Sequence, residues 1–210
     1  MKLKILLLIM LACRHYTLSA QQQAALYAGM EDYNKGECLL AENVEITTRS
    51  KNDIKMNGGN DYKIEADDYN IKNDLKRFYW FVKQNDTLYL NMKPIMKSKW
   101  YAKALYSDTT YIYFRAGNGE VYNPGRGKVL MASAMFGAIG GGFAAASAAK
   151  ERYDYILDRR SGNVYLADKT LLLNIVKGKE GLYNQLYKVR SELTQEEIIY
   201  YLSNRPATAR

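Results

Sequence analysis

From Asn43 onward the chain alternates with a period of two. Val44, Ile46 and Thr48 face one way while Glu45 and Thr47 face the other, as in a half-buried strand. The cluster Asn57-Gly58-Gly59-Asn60-Asp61 reads as a turn, and it predicts a hairpin with arms at 54–56 and 62–66. Three further hairpins follow. Residues 78–82 and 88–92 flank Gln84-Asn85-Asp86, and residues 100–106 and 111–114 flank Ser107-Asp108. Residues 153–157 and 164–166 flank Arg160-Ser161-Gly162-Asn163. Short strands rich in tyrosine and β-branched residues, joined by polar turns, describe an antiparallel meander.

The ends of the chain read differently. Residues 21–36 carry a weak helical spacing through Leu26, Tyr27 and Met30. From Asp168 the period lengthens. Asp168 can cap a helix over 171–176, with Gly178 just past its end. Leu182, Leu186 and Val189 space a second helix. Thr194-Gln195-Glu196-Glu197 is a capping box that opens a third, which Pro206 stops. Each of these helices has one apolar face and needs a surface to cover it.

Between the two patterns lies VLMASAMFGAIGGGFAAASAA, residues 129–149, uncharged and flanked by Arg126, Lys128, Lys150 and Arg152. Pro124-Gly125-Arg126-Gly127 breaks the strand pattern before it. Wound as one helix, Met131, Met135, Phe136, Ile139 and Phe143 fall within an arc of about 140°. Gly137, Gly141, Ala145 and Ala149 repeat every four residues on a nearly bare face, which lets another helix approach closely. Three readings stay open: a helix packed on the sheet or on another copy, a transmembrane helix, and two short helices hinged at Gly140-Gly141-Gly142. The expected class is therefore α+β, an antiparallel β meander (sheet or partial barrel) with a Gly/Ala-rich helical insertion and a C-terminal cluster of short helices. The expected organisation is a leader over 1–20, a β domain over 21–167 that contains the insertion 129–149, and a helical tail over 168–210 packed on it.

Composition changes this picture mainly at the N-terminus. Lys2 and Lys4 precede an apolar run over 5–12, and Thr17-Leu18-Ser19-Ala20 precedes Gln21, the pattern of an export signal cleaved after Ala20. The run is shorter than the about 20 residues that span a bilayer. Lipoprotein processing at Cys13 is the rival reading. Export would place the protein in the periplasm or outer envelope of a Gram-negative cell. Removal of 1–20 takes away Cys13, the single histidine His15, Lys2, Lys4 and Arg14, so the formal charge falls from +8 to +5. Without histidine, Ser-His-Asp and Cys-His catalysis and His-ligated zinc or iron are excluded within one mature chain. Cys38, alone, makes no internal disulfide and is expected to be a small buried apolar residue. Scattered lysines and the lack of a recognition motif argue against nucleic acid as a partner.

The segments EDYNKG (31–36), ITTRSKNDI (46–54), GGNDYKI (58–64), NDTLYLN (85–91) and KWYAKALY (99–106) occur in this order. They are followed by MFGAIGGGFAAASAAKERYDYILD (135–158) and the helical tail. Together they resemble an uncharacterised family of exported proteins from Bacteroidetes-type bacteria, a domain of unknown function. The resemblance implies export and transfers no activity or site residue.

Candidate chemistry is sparse. Nineteen tyrosines alternate with aliphatic residues in the strands, and Tyr89, Tyr113 and Tyr165 would share a phenolic face. That face could stack on glycans, with Trp80 or Trp100 contributing, or cover a second internal interface. Asp67 and Asp68 with Glu65, and Asp53 with Asn57 and Asp61, have oxygen ligands but no calcium-loop spacing. Nothing singles out an acid pair among Glu65, Asp86 and Glu120. The sequence thus points to a non-catalytic structural or interaction module with no cofactor and no metal, and to homo-oligomer formation through 129–149. A single-pass membrane anchor through 129–149 and a glycan-binding module are the alternatives.

Overall fold

The computed structural model describes residues 23–117, 120–123, 127–130, 151–189 and 192–206. Its strands are β1 (Ala24–Tyr27), β2 (Leu39–Ala41), β3 (Val44–Thr48), β4 (Tyr62–Ala66), β5 (Phe81–Gln84) and β6 (Thr87–Asn91). They continue as β7 (Tyr101–Ser107), β8 (Tyr111–Ala116), β9 (Glu120–Asn123), β10 (Gly127–Leu130), β11 (Tyr153–Asp158) and β12 (Val164–Leu166). Ten of them form one open antiparallel sheet in the order β12-β11-β8-β7-β6-β5-β1-β2, with β4 joined to β7 and β3 to β4. β9 and β10 form a separate hairpin. The helices are α1 (Met30–Lys35), α2 (Lys51–Asn57), α3 (Tyr69–Arg77), α4 (Met92–Met96), α5 (Lys169–Val176), α6 (Glu180–Lys188) and α7 (Gln195–Ser203). The α+β class, the antiparallel sheet and the short C-terminal helices are as the sequence predicts.

β7 is the branch point. Tyr101 pairs with Asn91 of β6 on one side and with Tyr62 of β4 on the other. Further along, β7 pairs with β8 through Ala104↔Phe114 and Ser107↔Ile112, with a register shift between Ala104 and Tyr106. Such a bulge bends and twists its strand. The sheet therefore forks, with β4 leaving at the start of β7 and β8 running along the rest.

Alternation sorts the side chains onto two faces. Phe81, Leu90, Ala102, Phe114, Tyr155 and Leu157 lie on one face, covered by Met92 and Met96 of α4 and by Met30 and Tyr33 of α1. The other face is divided. Leu26, Val82, Ile64 and Tyr101 pack with Leu75 of α3. Tyr113 and Ile156 pack with Leu172, Val176, Leu182, Leu186, Ile198 and Leu202 of the C-terminal helices. Asp168 caps α5 by accepting from the Leu171 amide, and the predicted capping box of Thr194 and Glu197 is present on α7.

One core group is held at a cost. Tyr155 is 0 % exposed and its hydroxyl has no hydrogen-bond partner. Burial pushes its pKa far above the ordinary phenol value. A buried hydroxyl without a partner retains its desolvation penalty, whereas phenylalanine fills the same volume without it. Tyr155→Phe is therefore expected to raise the unfolding free energy by about 1 kcal/mol in urea denaturation.

Four local readings of the sequence are corrected. Residues 54–56 are not a hairpin arm but part of α2, because the Ser50 hydroxyl accepts from the Asp53 amide and starts a helix. The true partner of β4 is β3, through Ile46↔Ile64. The stretch 21–36 is β1 followed by α1, separated by Gly29. Cys38 is exposed, since it lies between the α1 cap Gly36 and the edge strand β2. Val129 and Leu130 belong to β10, paired with Val121 and Glu120, so a helical insertion cannot begin before residue 131.

Candidate functional site at the fork of the sheet

The glycine-rich turn between α2 and β4 sits where the sheet divides, and its side chains reach every strand that meets there. Asn60 is 1 % exposed. Its amide nitrogen donates to the Lys99 carbonyl at 2.9 Å and to the Ser98 hydroxyl at 3.2 Å, ahead of β7. Its amide oxygen accepts from the Gly117 backbone N–H at 2.7 Å, just past β8. Next along the chain, Asp61 Oδ1 accepts from Arg152 at 2.6 and 3.0 Å, immediately before β11. Arg152 also donates to the Gly59 carbonyl at 3.3 Å.

A second arginine holds the turn from behind. Arg49 is buried, and it donates to Asp53 at 2.6 Å, to the Gly58 carbonyl at 2.8 Å and to the Asn60 carbonyl at 2.7 Å. The Arg49 hydrogen bond is the main reason the Asp53 carboxyl lies below its ordinary range. The guanidinium carbon stands 4.7 Å over the Trp100 ring. Gly59 has φ +80, and a Cβ there would lie 2.7 Å from Trp100 Cδ1 and 2.8 Å from the Lys99 oxygen. Only glycine fits.

Residues 118–151 are thus an excursion with clamped stems. β8 and β11 are neighbours in a ladder from Tyr153↔Ala116 to Asp158↔Tyr111. The chain leaves the sheet after Ala116 and returns opposite it at Tyr153. Asn60 holds the outgoing stem and Asp61 the incoming one.

Two hollows adjoin the fork. A cleft of about 660 Å³ lies between the β8–β11 ladder and the C-terminal helices, lined by Arg115, Arg152, Asp154, Asp168, Lys169 and Glu192 among others. Its charges are largely committed. Arg115 pairs with Asp154 at 2.7 and 3.1 Å, and Tyr113 donates to the same carboxylate at 2.6 Å. Lys169 donates to the Tyr187 and Val189 carbonyls, and Asp168 caps α5. Burial first, and Asp154 second, push the Tyr113 phenol far above its usual pKa, so it stays a proton donor to Asp154.

The other hollow, of about 410 Å³, is lined by Lys63, Ile64, Glu65, Lys76, Asn91, Lys93, Lys99, Trp100 and Tyr101. It exists because β4 pairs with β7 only at Tyr62↔Tyr101 and then diverges. The backbone that would continue the ladder is engaged elsewhere: the Lys99 carbonyl accepts from Asn60 and the Trp100 carbonyl from Met92. Trp100 is the costly residue here. It has φ 71, in the left-handed region, where a bulky side chain is strained by about 1–3 kcal/mol. Its indole N–H is buried without a partner, which costs about 1–3 kcal/mol more.

The residues singled out from the sequence meet different fates. Gly137, Gly141, Ala145 and Ala149 lie outside the described residues. Tyr89, Tyr113 and Tyr165 do share one side of the sheet, but Tyr113 is 0 % exposed beneath the C-terminal helices, while Tyr89 and Tyr165 are half-buried. Tyr113 thus serves an internal interface, while Tyr89 and Tyr165 stay partly open to solvent. Asp68 caps α3, Asp53 serves Arg49 and Asn57, and Asp61 serves Arg152. Among the described residues no group of three or more His, Cys, Asp or Glu side chains is set to hold a metal ion, and no helix is long and apolar enough to cross a membrane. The sequence predicts a turn at 57–61 and a charged flank at Arg152, and only the fold unites them. The adjacency of Asn60, Asp61 and two glycines was the available signal.

Residues 25–206 match a family described as "Family of unknown function (DUF6563)". The chain belongs to that family. No curated protein and no solved structure matches it significantly.

Proposed function

We propose that this family member is an exported, non-catalytic interaction module of the cell envelope, and that it presents residues 131–150 to a second copy of itself. The leader pattern over 1–20 supports export, and the family match and the first strand both begin a few residues beyond it. The observation that carries the interaction reading is the β8–β11 ladder. Six residue pairs join the strands on either side of the excursion. A single bilayer crossing within it would put β11 and the C-terminal helices on the far side from β8 and abolish that ladder. Two crossings need about 40 residues, and twenty residues separate β10 from Glu151. A stretch rich in Gly, Ala and Ser that must return to its own sheet is suited to close backbone contact with a neighbour.

The non-catalytic reading draws on the committed carboxylates of the larger cleft, where Asp154 and Asp168 each serve structural partners. The experiment is sedimentation velocity on the protein, on Gly141→Leu, and on a variant with 131–150 replaced by a short Gly-Ser linker. The expected result is self-association of the parent, weakened at least tenfold by Gly141→Leu and lost in the linker variant, all with the same near-ultraviolet circular dichroism. A parent that sediments as a monomer at every concentration, or a linker variant that still associates, contradicts the proposal.

A further inference from the structure

The hollow between β4, α4 and the start of β7 has features that the interaction reading does not use. Four lysines, Lys63, Lys76, Lys93 and Lys99, converge on it from four different elements or loops, against the single carboxylate of Glu65. Glu65 is already engaged, 2.5 Å from Lys63 and 3.5 Å from Lys72, and its hydrogen bond with Lys63 is the first cause holding its pKa below the ordinary value. Among the described residues, Lys76, Lys93 and Lys99 make no ion pair, and all three are exposed. Three ammonium groups without an ion pair around one hollow create a local positive potential; Lys76 and Lys93 also complement the C-terminal ends of α3 and α4, whereas Lys99 lies on no helix. The floor is rigid. Asn91 donates to the Leu75 and Tyr79 carbonyls at 2.9 Å each, and Tyr101 donates to the Leu75 carbonyl at 2.5 Å.

The wall is an indole. Trp100 is half-buried, strained at φ 71, clamped by Arg49 over its ring and tucked against Gly59. Strain that the surroundings over-determine marks positions kept for something other than stability. A flat apolar ring beside converging cations matches a ligand that is part ring and part anion. The C–H face of a pyranose stacks on an aromatic ring, while carboxylate or phosphate groups take lysine ammoniums. The volume, about 410 Å³, lies in the range of small-ligand sites. Because the lysines surround a hollow rather than spread over a flat face, a single ligand fits better than a bilayer surface.

We propose that this groove binds an acidic sugar, a saccharide of one or two rings carrying a carboxylate or phosphate, with Trp100 as the stacking platform and Lys76, Lys93 and Lys99 as the anion contacts. The lining of this site includes none of residues 131–150, so its test does not depend on self-association. Isothermal titration of the protein with digalacturonate, glucose 1-phosphate, maltose and inorganic phosphate provides the comparison, with phosphatidylglycerol vesicles as a fifth arm. The expected result is that at least one acidic sugar binds at least tenfold more tightly than maltose and than phosphate alone. The Lys76→Gln/Lys93→Gln/Lys99→Gln variant, changed only at exposed positions, is expected to lose that binding at least tenfold while its circular dichroism stays unchanged. Trp100→Phe is expected to weaken the acidic sugar and leave phosphate ion binding alone. Equal binding of maltose, tighter binding of vesicles or free phosphate than of either acidic sugar, full binding by the triple variant, or no acidic-sugar binding at millimolar concentration each overturn the proposal.

Discussion

Asp108→Ala is expected to lower the unfolding free energy by about 3–5 kcal/mol, because it leaves a nearly buried arginine without its anion. Oδ2 of Asp108 accepts from Arg205 at 2.6 Å and from the Tyr106 hydroxyl at 2.5 Å. Oδ1 accepts from the amides of Thr110 and Tyr111 at 2.7 and 2.9 Å. The Arg205 guanidinium lies 4.9 Å from the Tyr111 ring centre, and Arg159 donates to the Asp108 carbonyl. The carboxylate therefore links the end of α7 to the β7–β8 turn, while the Asp108 backbone carbonyl, through Arg159 and its hydrogen bonds with Asn34, ties the same turn to the β11–β12 turn and the first helix. Deleting both partners in Asp108→Ala/Arg205→Met removes the stranded charge and should recover part of the loss.

The same pair gives a pH signature. Burial alone would raise the Asp108 pKa, but hydrogen bonds from Arg205, Tyr106 and the two amides outweigh it and hold the group below its ordinary value. A folded-state pKa that is depressed contributes stability above the unfolded carboxylate value of about 3.9, and that contribution is lost as pH falls through the folded value. In urea titrations, the deficit of Asp108→Ala relative to the parent is therefore expected to be full at neutral pH. It should shrink as pH drops below about 3.9. A deficit that grows in acid would mean that the carboxylate is not held charged by its partners.

Asn60→Ala is expected to cost about 2–4 kcal/mol, although it removes no apolar contact of the main cores. The variant loses the donations to Ser98 and Lys99 and strands the buried Gly117 N–H, whose acceptor is the Asn60 side chain. The Lys99 carbonyl keeps the Asn60 backbone N–H at 3.0 Å, so the damage concentrates on the outgoing stem. Hydrogen exchange should accelerate at Gly117 and the last residues of β8 before it does in β5 or β6. A uniform acceleration across the sheet would show that Asn60 supports the whole fold rather than the stem.

Where one residue's neighbours in sequence determine its environment, the fold was legible. The alternation of Leu88, Tyr89 and Leu90, or of Tyr111, Ile112, Tyr113 and Phe114, assigns faces correctly because the period of a strand is fixed by its geometry. The caps of α5 and α7 follow from Asp168 and from Thr194 with Glu197 for the same reason. Ile54 and Met56 alternate like a strand, which hides helix α2, and the deciding signal is the Ser50 cap. Helix α3 has its own local signal, since Asp68 caps it and Ile71 and Leu75 share a face. The fork was beyond sequence reasoning. Asn60 and Gly117, or Asp61 and Arg152, are 57 and 91 residues apart, and only the pairing of β4 and β8 along one edge of β7 brings them together. The exposure of Cys38 is not legible in composition, which reports how often a cysteine is buried, not that this one precedes an edge strand.

A sheet completed across the excursion and clamped at its stems should hold together without help from residues 131–150. Amide hydrogen exchange on the chain with 131–150 replaced by a short Gly-Ser linker tests this directly. Phe114, Ile156 and Leu157, in the β8–β11 ladder, should remain as protected as in the parent. Loss of protection confined to β8, β11 and β12 while β5 and β6 stay protected would contradict it.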